Sequence, residues 1–279
     1  YLRNIADIQA IKPYVVQGKR VVIIGGGYIG LETAASLKKL GMDVVVLEMA
    51  ERVLQRVTAP EMSEFYTRIH QQQGVVIYTQ MTVSEIVGKE QVRAVKCADR
   101  REFLADLVII GIGVVPNVEL AEQADLEVNN GVVVDEFCQT NDPNIVAAGD
   151  CANHFNAIYG RRMRLESVPN ASDQAKSAAA AICGVHKPYK SLPWFWSDQY
   201  DLKLQIAGLS QGYDQVVNRG DSLNGRSFAA FYLQQGKLIA ADCINRPQEF
   251  MLSKKIIAEN LAIDAARLVD ESIPVKELL

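Results

Sequence analysis

The sequence predicts an α/β fold whose front part alternates strands with helices and whose back part is α+β. Three observations predict it. A strand–turn–helix–strand pattern runs from Lys19 to Leu54. A further apolar run, Leu107–Ile110, supplies the same sheet with another buried strand. After Pro193 the texture changes to short strands with one helix.

Each element has a local reason. Val21–Ile24 is a continuous apolar run, as a parallel strand covered on both faces requires. Leu31, Ala34, Ala35 and Leu37 give the next segment an apolar helical face, and Gly41 ends it. Val44–Leu47 is the second buried strand, which completes a βαβ unit. "APEMSEFYTRIHQQQGVVIYT" reads as a helix stopped at Gly74 and then a short strand. "VRAVKCADRREFLADLVIIGIG" reads as strand segments around a polar turn, ending in Leu107–Ile110. "GVVVDEFCQTNDPNIVAAGDCA" predicts a strand, a polar turn at Pro143 and a short strand into Gly149-Asp150. "NASDQAKSAAAAICG" is a helix by its alanine content, ended by Gly184. Beyond it, "LKLQIAGL", "DQVVNRG", "RSFAAFYL" and "KLIAADCIN" are short strands, the last two joined by a "QQG" hairpin. The helix "PQEFMLSKKIIAEN" follows. The expected division is 1–115, 116–193 and 194–279.

The bulk properties narrow the function. With 279 residues the chain is long enough for two or three domains. A net charge of −4 and the lack of a long basic run argue against nucleic-acid binding. No apolar stretch reaches the roughly 18–20 residues of a membrane span. The N-terminus "YLRNIADIQA" lacks the basic head and apolar run of a signal peptide. The five cysteines, Cys97, Cys138, Cys151, Cys183 and Cys243, show no C-x-x-C spacing and read as free thiols of a cytoplasmic protein. The three histidines, His70, His154 and His186, are too far apart in sequence to suggest a metal site. The chain opens inside a helical pattern without an initiator Met, which reads as a piece of a longer protein.

The chemistry starts at "VVIIGGGYIGLE". Gly25, Gly27 and Gly30 fill G-x-G-x-x-G between an apolar strand and a helix. The first glycine permits the tight turn, the second lets a pyrophosphate approach the backbone, and the third lets helix and strand pack closely. The helix N-terminus, opened by Tyr28 and Ile29, brings backbone N–H groups and the positive end of the helix dipole to the phosphates. Glu48 ends the next strand about 20 residues on, where an acid accepts from the adenine ribose hydroxyls and repels a 2′-phosphate. NADH is therefore favoured over NADPH. Arg52 leaves two alternatives open: it approaches a 2′-phosphate, or it pairs with Glu48 or Glu51.

The motifs "VVIIGGGYIGLE", "RVLQRVTAPEMSEFY", "ADLVIIGIGVVPN", "AAGDCA", "ESVPNA" and "PWFWSDQY" together resemble the NADH-dependent ferredoxin reductases of oxygenase systems. The likeness extends from the opening "YLR" to the closing "ESIPVKELL". It implies a Rossmann-like NAD domain, a partial FAD-binding domain lacking its N-terminal part, and a C-terminal α+β domain. It implies FAD and NAD as cofactors, with electrons passing from NADH through FAD to a [2Fe–2S] ferredoxin, in a monomer or weak dimer. In the resemblance, Gly113 belongs to the G-x-G-x-x-P crossing back to the FAD domain. Gly149 and Asp150 form the second FAD motif, Asp150 bonding the ribityl chain. Val168, Pro169 and Asn170 open the helix that points at the flavin pyrimidine. Trp196 lies by the flavin's dimethylbenzene edge, with Trp194 nearer the surface; the alternative is that both are core aromatics. Glu32 sits near the nicotinamide, or is an exposed first-turn carboxylate. Glu32, Pro169 and Trp196 are thus the catalytic candidates. Lys187, Lys190, Lys254 and Lys276 are candidates for a basic rim facing an acidic ferredoxin. Three other functions stay open: an NAD-binding fragment without turnover, a disulfide reductase, against which no histidine follows His186, and a non-enzyme redox signalling protein of similar fold, whose different C-terminal insertions are not apparent in this sequence.

Overall fold

In the computed structural model, residues 2–279 are described. Tyr1, the first residue of "YLR", lies outside the described residues. The chain forms two compact units. One holds the described residues up to 113 with 197–204 and 218–230; the other holds 114–196, 205–217 and 231–279.

The first unit opens with helix α1 (Ile5–Ile11), capped by Asn4, whose side chain accepts from the Asp7 N–H while the Asp7 carboxylate accepts from the Asn4 N–H. Strand β1 (Arg20–Ile24) is followed by α2 (Tyr28–Lys39), β2 (Asp43–Leu47), α3 (Pro60–Gln72) and β3 (Val76–Tyr78). Then come β4 (Val83–Gly88), β5 (Val92–Cys97), β6 (Glu102–Leu104) and β7 (Leu107–Ile110). The parallel sheet has the order β3-β2-β1-β7, so β1 is an inner strand, paired Val22↔Val45 and Val22↔Val108. Val21, Val22 and Ile23 are fully buried, which explains the unbroken apolar run. Alternate residues serve opposite faces. Val21 and Ile23 pack with Ala34, Leu37 and Val46, whereas Val22 packs with Leu47, Met81 and Val95. Each such side chain contributes about 1.5–3 kcal/mol when removed from water. The second group lies against the antiparallel sheet β4-β5-β6. Strand β4 was not predicted: its residues are mostly exposed, so it carries no apolar run.

The second unit contains α4 (Glu119–Gln123), β8 (Val132–Val133), β9 (Ala152–Asn156), β10 (Arg161–Arg164) and α5 (Val168–Ile182). Strand β8 pairs parallel with β9, and β9 antiparallel with β10. The expected strand into Gly149-Asp150 does not form. The run Ile145–Ala148 makes a single bridge, Gln139↔Val146, and no ladder, because an apolar run becomes a strand only with a partner backbone in register. The strand lies just after Gly149-Asp150, as β9. Helix α5 is capped by Ser167, whose hydroxyl accepts from the Asn170 N–H at 3.3 Å, and its chain exits through Gly184 at φ +71.

The C-terminal sheet comprises β11 (Trp194–Gln199), β12 (Leu202–Gly208), β13 (Gln215–Gly220), β14 (Phe228–Gln234) and β15 (Lys237–Ile244), in the order β11-β12-β15-β14-β13. Gln235 and Gly236 both have positive φ, the two-residue turn a β14–β15 hairpin favours. Helix α6 (Pro247–Glu259) and the short α7 (Ala265–Val269) complete the chain. Strand β11 was not predicted, since Trp-Phe-Trp followed by three polar residues breaks the apolar alternation. No helix among the described residues is long and apolar enough to cross a membrane.

Candidate functional site

The glycine loop divides its three glycines by physical role. Gly25 has φ +110, and a Cβ there would lie 2.3 Å from the Gly111 carbonyl oxygen. A Cβ at Gly30 would lie 2.0 Å from the Gly25 carbonyl oxygen. Both positions exclude any side chain because the loop, helix and β7 exit are in close contact. Gly27 differs. It caps α2 in extended backbone (φ −78), and a Cβ there meets nothing within 4 Å. The fold itself leaves this position open, with room beside the backbone. A phosphate placed there faces the start of the 12-residue helix α2, where the N–H groups of Tyr28 and Ile29 stand. This donor set fits the pyrophosphate of a dinucleotide.

Glu48 follows β2 and is half-buried beside the loop. It accepts the Gly26 N–H at 2.6 Å and the Ala50 N–H at 2.7 Å. These bonds use two of about four carboxylate lone-pair sites and fix the side chain, leaving the others for ribose hydroxyls. Neither alternative pairing of Arg52 occurs with Glu48 or Glu51. Its guanidinium donates to Ser63 Oγ at 2.5 Å and to the Gln55 carbonyl at 3.2 Å, since α3 and its approach lie closer.

Glu32 is not a first-turn residue. Helix α2 starts at Tyr28, which puts Glu32 in the second turn, half-buried rather than exposed. Ser197 Oγ donates to Glu32 Oε1 at 2.6 Å. Burial raises the Glu32 pKa, Ser197 opposes that shift, and the nearby Asp198 charge adds to it. Gly113 is exposed, with φ +118 and nothing within 4 Å of a built Cβ.

In the second unit Gly149 has φ +83, opens a tight turn with Asp150, and donates its N–H to Gln174 Oε1 at 2.7 Å. Gln174 lies on α5 and is fully buried. The turn is thereby fastened to the helix whose start carries Val168, exposed, and Pro169, buried. Gln174 Nε2 also reaches His154 Nδ1 at 3.1 Å, and Asn170 Nδ2 reaches Gln174 Oε1 at 3.3 Å. Tyr189 donates to Asn170 Oδ1 at 2.8 Å. His154 Nε2 is buried without a partner, and burial pulls the ring's pKa down to about 4, helped by Arg162. The half-buried Asp150 carboxylate and the helix start form an acceptor beside N–H donors, a set that fits the polyol and ring edge of a flavin nucleotide.

The tryptophans reverse their expected order. Trp196 is 39% exposed and is not a core aromatic. Trp194 is the more covered, because Phe250 lies against it in a tilted contact with ring centres 5.7 Å apart and Lys254 Nζ lies 4.8 Å from its ring centre. Lys254 is thus engaged on aromatic rings, while Lys187, Lys190 and Lys276 are exposed. The five cysteines are free.

The buried polar partners Ser197, Gln199, His70 and Gln174 were missed in the sequence. Their one trace was the two-residue spacing of Ser197 and Gln199 in "WFWSDQ", which as a strand puts both on one face.

Two family profiles match this chain. The pyridine nucleotide-disulphide oxidoreductase profile matches residues 1–175, and the reductase C-terminal profile matches residues 194–279. The chain belongs to the pyridine nucleotide-disulphide oxidoreductase family. Within that family it is 47% identical to putidaredoxin reductase CamA of Pseudomonas putida, covering 100% of this chain and 67% of the relative. It is 44% identical to the ferredoxin reductase subunit of the 5,5'-dehydrodivanillate O-demethylase of a Sphingobium species, over 99% of this chain and 68% of that protein. Its fold matches the covalent putidaredoxin reductase–putidaredoxin complex with a TM-score of 0.96, covering 100% of this chain and 67% of that one. It matches a ferredoxin reductase of the CYP199A2 system from Rhodopseudomonas palustris with a TM-score of 0.95 at 41% identity, over 99% and 68% of the two chains. The chain thus spans about two thirds of the length of these relatives.

Proposed function

We propose that this family member is a ferredoxin reductase. It passes electrons from NADH, through FAD, to a [2Fe–2S] ferredoxin that serves an oxygenase, in the cytoplasm. The observation that carries the reading is the glycine loop, closed to side chains at Gly25 and Gly30 and open at Gly27, with Glu48 fixed beside it. The reductase C-terminal match over 194–279 favours the ferredoxin branch over a disulfide reductase. Free cysteines suit a reducing compartment.

The bound flavin supplies the hydride-accepting and one-electron chemistry. The chain's own residues bind and orient. The backbone at Gly27 and the N–H groups of Tyr28 and Ile29 hold the pyrophosphate of NADH. Glu48 accepts the ribose hydroxyls, and Glu32 lies at the nicotinamide end. Gly149, Asp150 and the start of α5 at Val168 and Pro169 hold FAD, and Trp196 covers its ring edge. Gly113 leaves the backbone free to turn between 1–115 and 116–193, which we take as the NAD domain and the FAD-domain portion, with 194–279 as the third domain. Lys187, Lys190 and Lys276 give a basic rim that steers an acidic partner and acts mainly on association rate.

The test is NADH-dependent reduction of a [2Fe–2S] ferredoxin by the full-length, FAD-loaded protein, followed by the ferredoxin's visible bands. Bleaching that needs NADH, protein and ferredoxin together supports the reading. NADH-dependent reduction of a disulfide substrate without ferredoxin bleaching opposes it.

A further inference from the structure

Glu32 stands at the end of an unbroken line of hydrogen bonds. Ser197 Oγ lies 2.6 Å from Glu32 Oε1, and Gln199 Nε2 lies 3.1 Å from Ser197 Oγ. Gln199 Oε1 lies 2.8 Å from His70 Nε2, and the Tyr200 hydroxyl lies 3.0 Å from His70 Nδ1. Ser197 and His70 are fully buried and Gln199 is 1% exposed, so water does not substitute for these partners.

The direction of every bond follows from one premise, an ionised Glu32. A carboxylate only accepts, so the single Ser197 proton goes to it. Ser197 Oγ must then accept, which turns the Gln199 NH₂ toward it and the Gln199 oxygen toward His70. That oxygen needs a donor, so His70 carries its proton on Nε2 and offers Nδ1 as acceptor. Tyr200 then donates. Both end groups suit this order: burial lowers the His70 pKa, keeping the ring neutral, and pushes the Tyr200 hydroxyl up to about 12, keeping its proton. Four donors therefore point the same way, each polarising the next. The line opposes burial and the Asp198 charge, which both favour a neutral Glu32.

We propose that Ser197, Gln199, His70 and Tyr200 are positioning residues that hold Glu32 ionised and in one rotamer, and thereby set how tightly the nicotinamide end of NADH is held. Strand β11 is suited to the task. Its alternation puts Ser197 and Gln199 on the buried side while Trp196 and Asp198 are exposed. The inference rests on the reading that the glycine loop takes NADH.

The experiment is equilibrium binding of NADH to the full-length, FAD-loaded protein whose flavin has first been reduced with dithionite under anaerobic conditions, so that no hydride is transferred, with kcat and KM measured alongside in turnover. Removing a charge-assisted buried bond in Ser197→Ala is expected to weaken NADH binding about tenfold. Glu32→Gln is expected to do the same, and the double variant no more than either alone. Ser197→Thr keeps the hydroxyl and restores binding to within about twofold, while Tyr200→Phe, at the far end, weakens it about threefold. KM is expected to rise more than kcat falls. A merely structural Ser197 would lower the melting temperature with NADH affinity intact, or add its loss to that of Glu32→Gln; either result overturns the relay. If wild-type protein fails to bind NADH, or binds it equally well as Gly27→Ala, the dinucleotide reading itself fails. Tight wild-type binding, lost in Gly27→Ala but unchanged in Ser197→Ala, overturns the relay alone.

Discussion

Gly27→Ala separates a glycine kept for the ligand from glycines kept for the fold. Gly27 has φ −78, which alanine adopts freely, and the added Cβ meets nothing within 4 Å. Two small effects on stability oppose each other. Alanine is a poorer N-cap than glycine by a few tenths to about 1 kcal/mol. It also restricts the unfolded chain, worth about 0.4–1 kcal/mol in the other direction. The net change is expected to lie within about 0.5 kcal/mol of zero. The methyl group, however, occupies the space a pyrophosphate needs, so NADH binding should weaken by tenfold or more, at least about 1.4 kcal/mol. Gly25→Ala and Gly30→Ala are the contrast. Their Cβ atoms would lie 2.3 Å and 2.0 Å from backbone oxygens, so the loop or helix must move. Each should destabilise by about 2–4 kcal/mol. Chemical denaturation gives the stabilities, and anaerobic NADH fluorescence titration of protein with its flavin already reduced gives the affinities. A Gly27→Ala protein that binds NADH like wild type would refute the assignment of this loop, whatever Gly25→Ala does.

Three further outcomes follow from single contacts. Glu48→Gln removes the charge that repels a 2′-phosphate while keeping an acceptor, so the preference for NADH over NADPH should fall by about tenfold; an unchanged ratio in competition binding would count against Glu48 as the selector. His154 is buried with its pKa lowered to about 4, so the folded state favours the neutral ring. Its stabilisation is therefore complete above the unfolded value of about 6.5 and is lost as pH falls toward 4, by about 3 kcal/mol. Melting curves between those pH values should be flatter for His154→Gln than for wild type, and parallel curves would contradict this. Gly208→Ala has φ +76 and a Cβ 2.2 Å from the Ile239 carbonyl oxygen and 2.7 Å from the Tyr159 hydroxyl. It should destabilise by about 2–4 kcal/mol, and denaturant midpoints equal to wild type would exclude that clash.

The parallel sheet was legible because fully buried strands must be written as unbroken apolar runs, as in Val21–Ile24 and Leu107–Ile110. The glycine loop was legible because Gly25 and Gly30 answer steric demands of the fold and Gly27 stands between them at the fixed spacing of the motif. What escaped was written in other terms. Strand β4 is largely exposed and has no apolar stripe. The run Ile145–Ala148 looks like a strand but lacks a partner in register, which no local pattern reports. The Ser197–Gln199–His70 line joins residues more than a hundred positions apart, and serine, glutamine and histidine have no spacing rule that betrays such a contact. The relative covering of Trp194 and Trp196 was set by Phe250 and Lys254, which arrive from α6.

The most direct test of the electron-transfer assignment is a stoichiometric count. Full-length, FAD-loaded protein is mixed anaerobically with limiting NADH and excess [2Fe–2S] ferredoxin, and both are followed by absorbance. The predicted result is about two ferredoxins reduced for each NADH consumed, because a two-electron donor is emptied into one-electron acceptors. Consumption of NADH with the ferredoxin left oxidised would contradict the assignment.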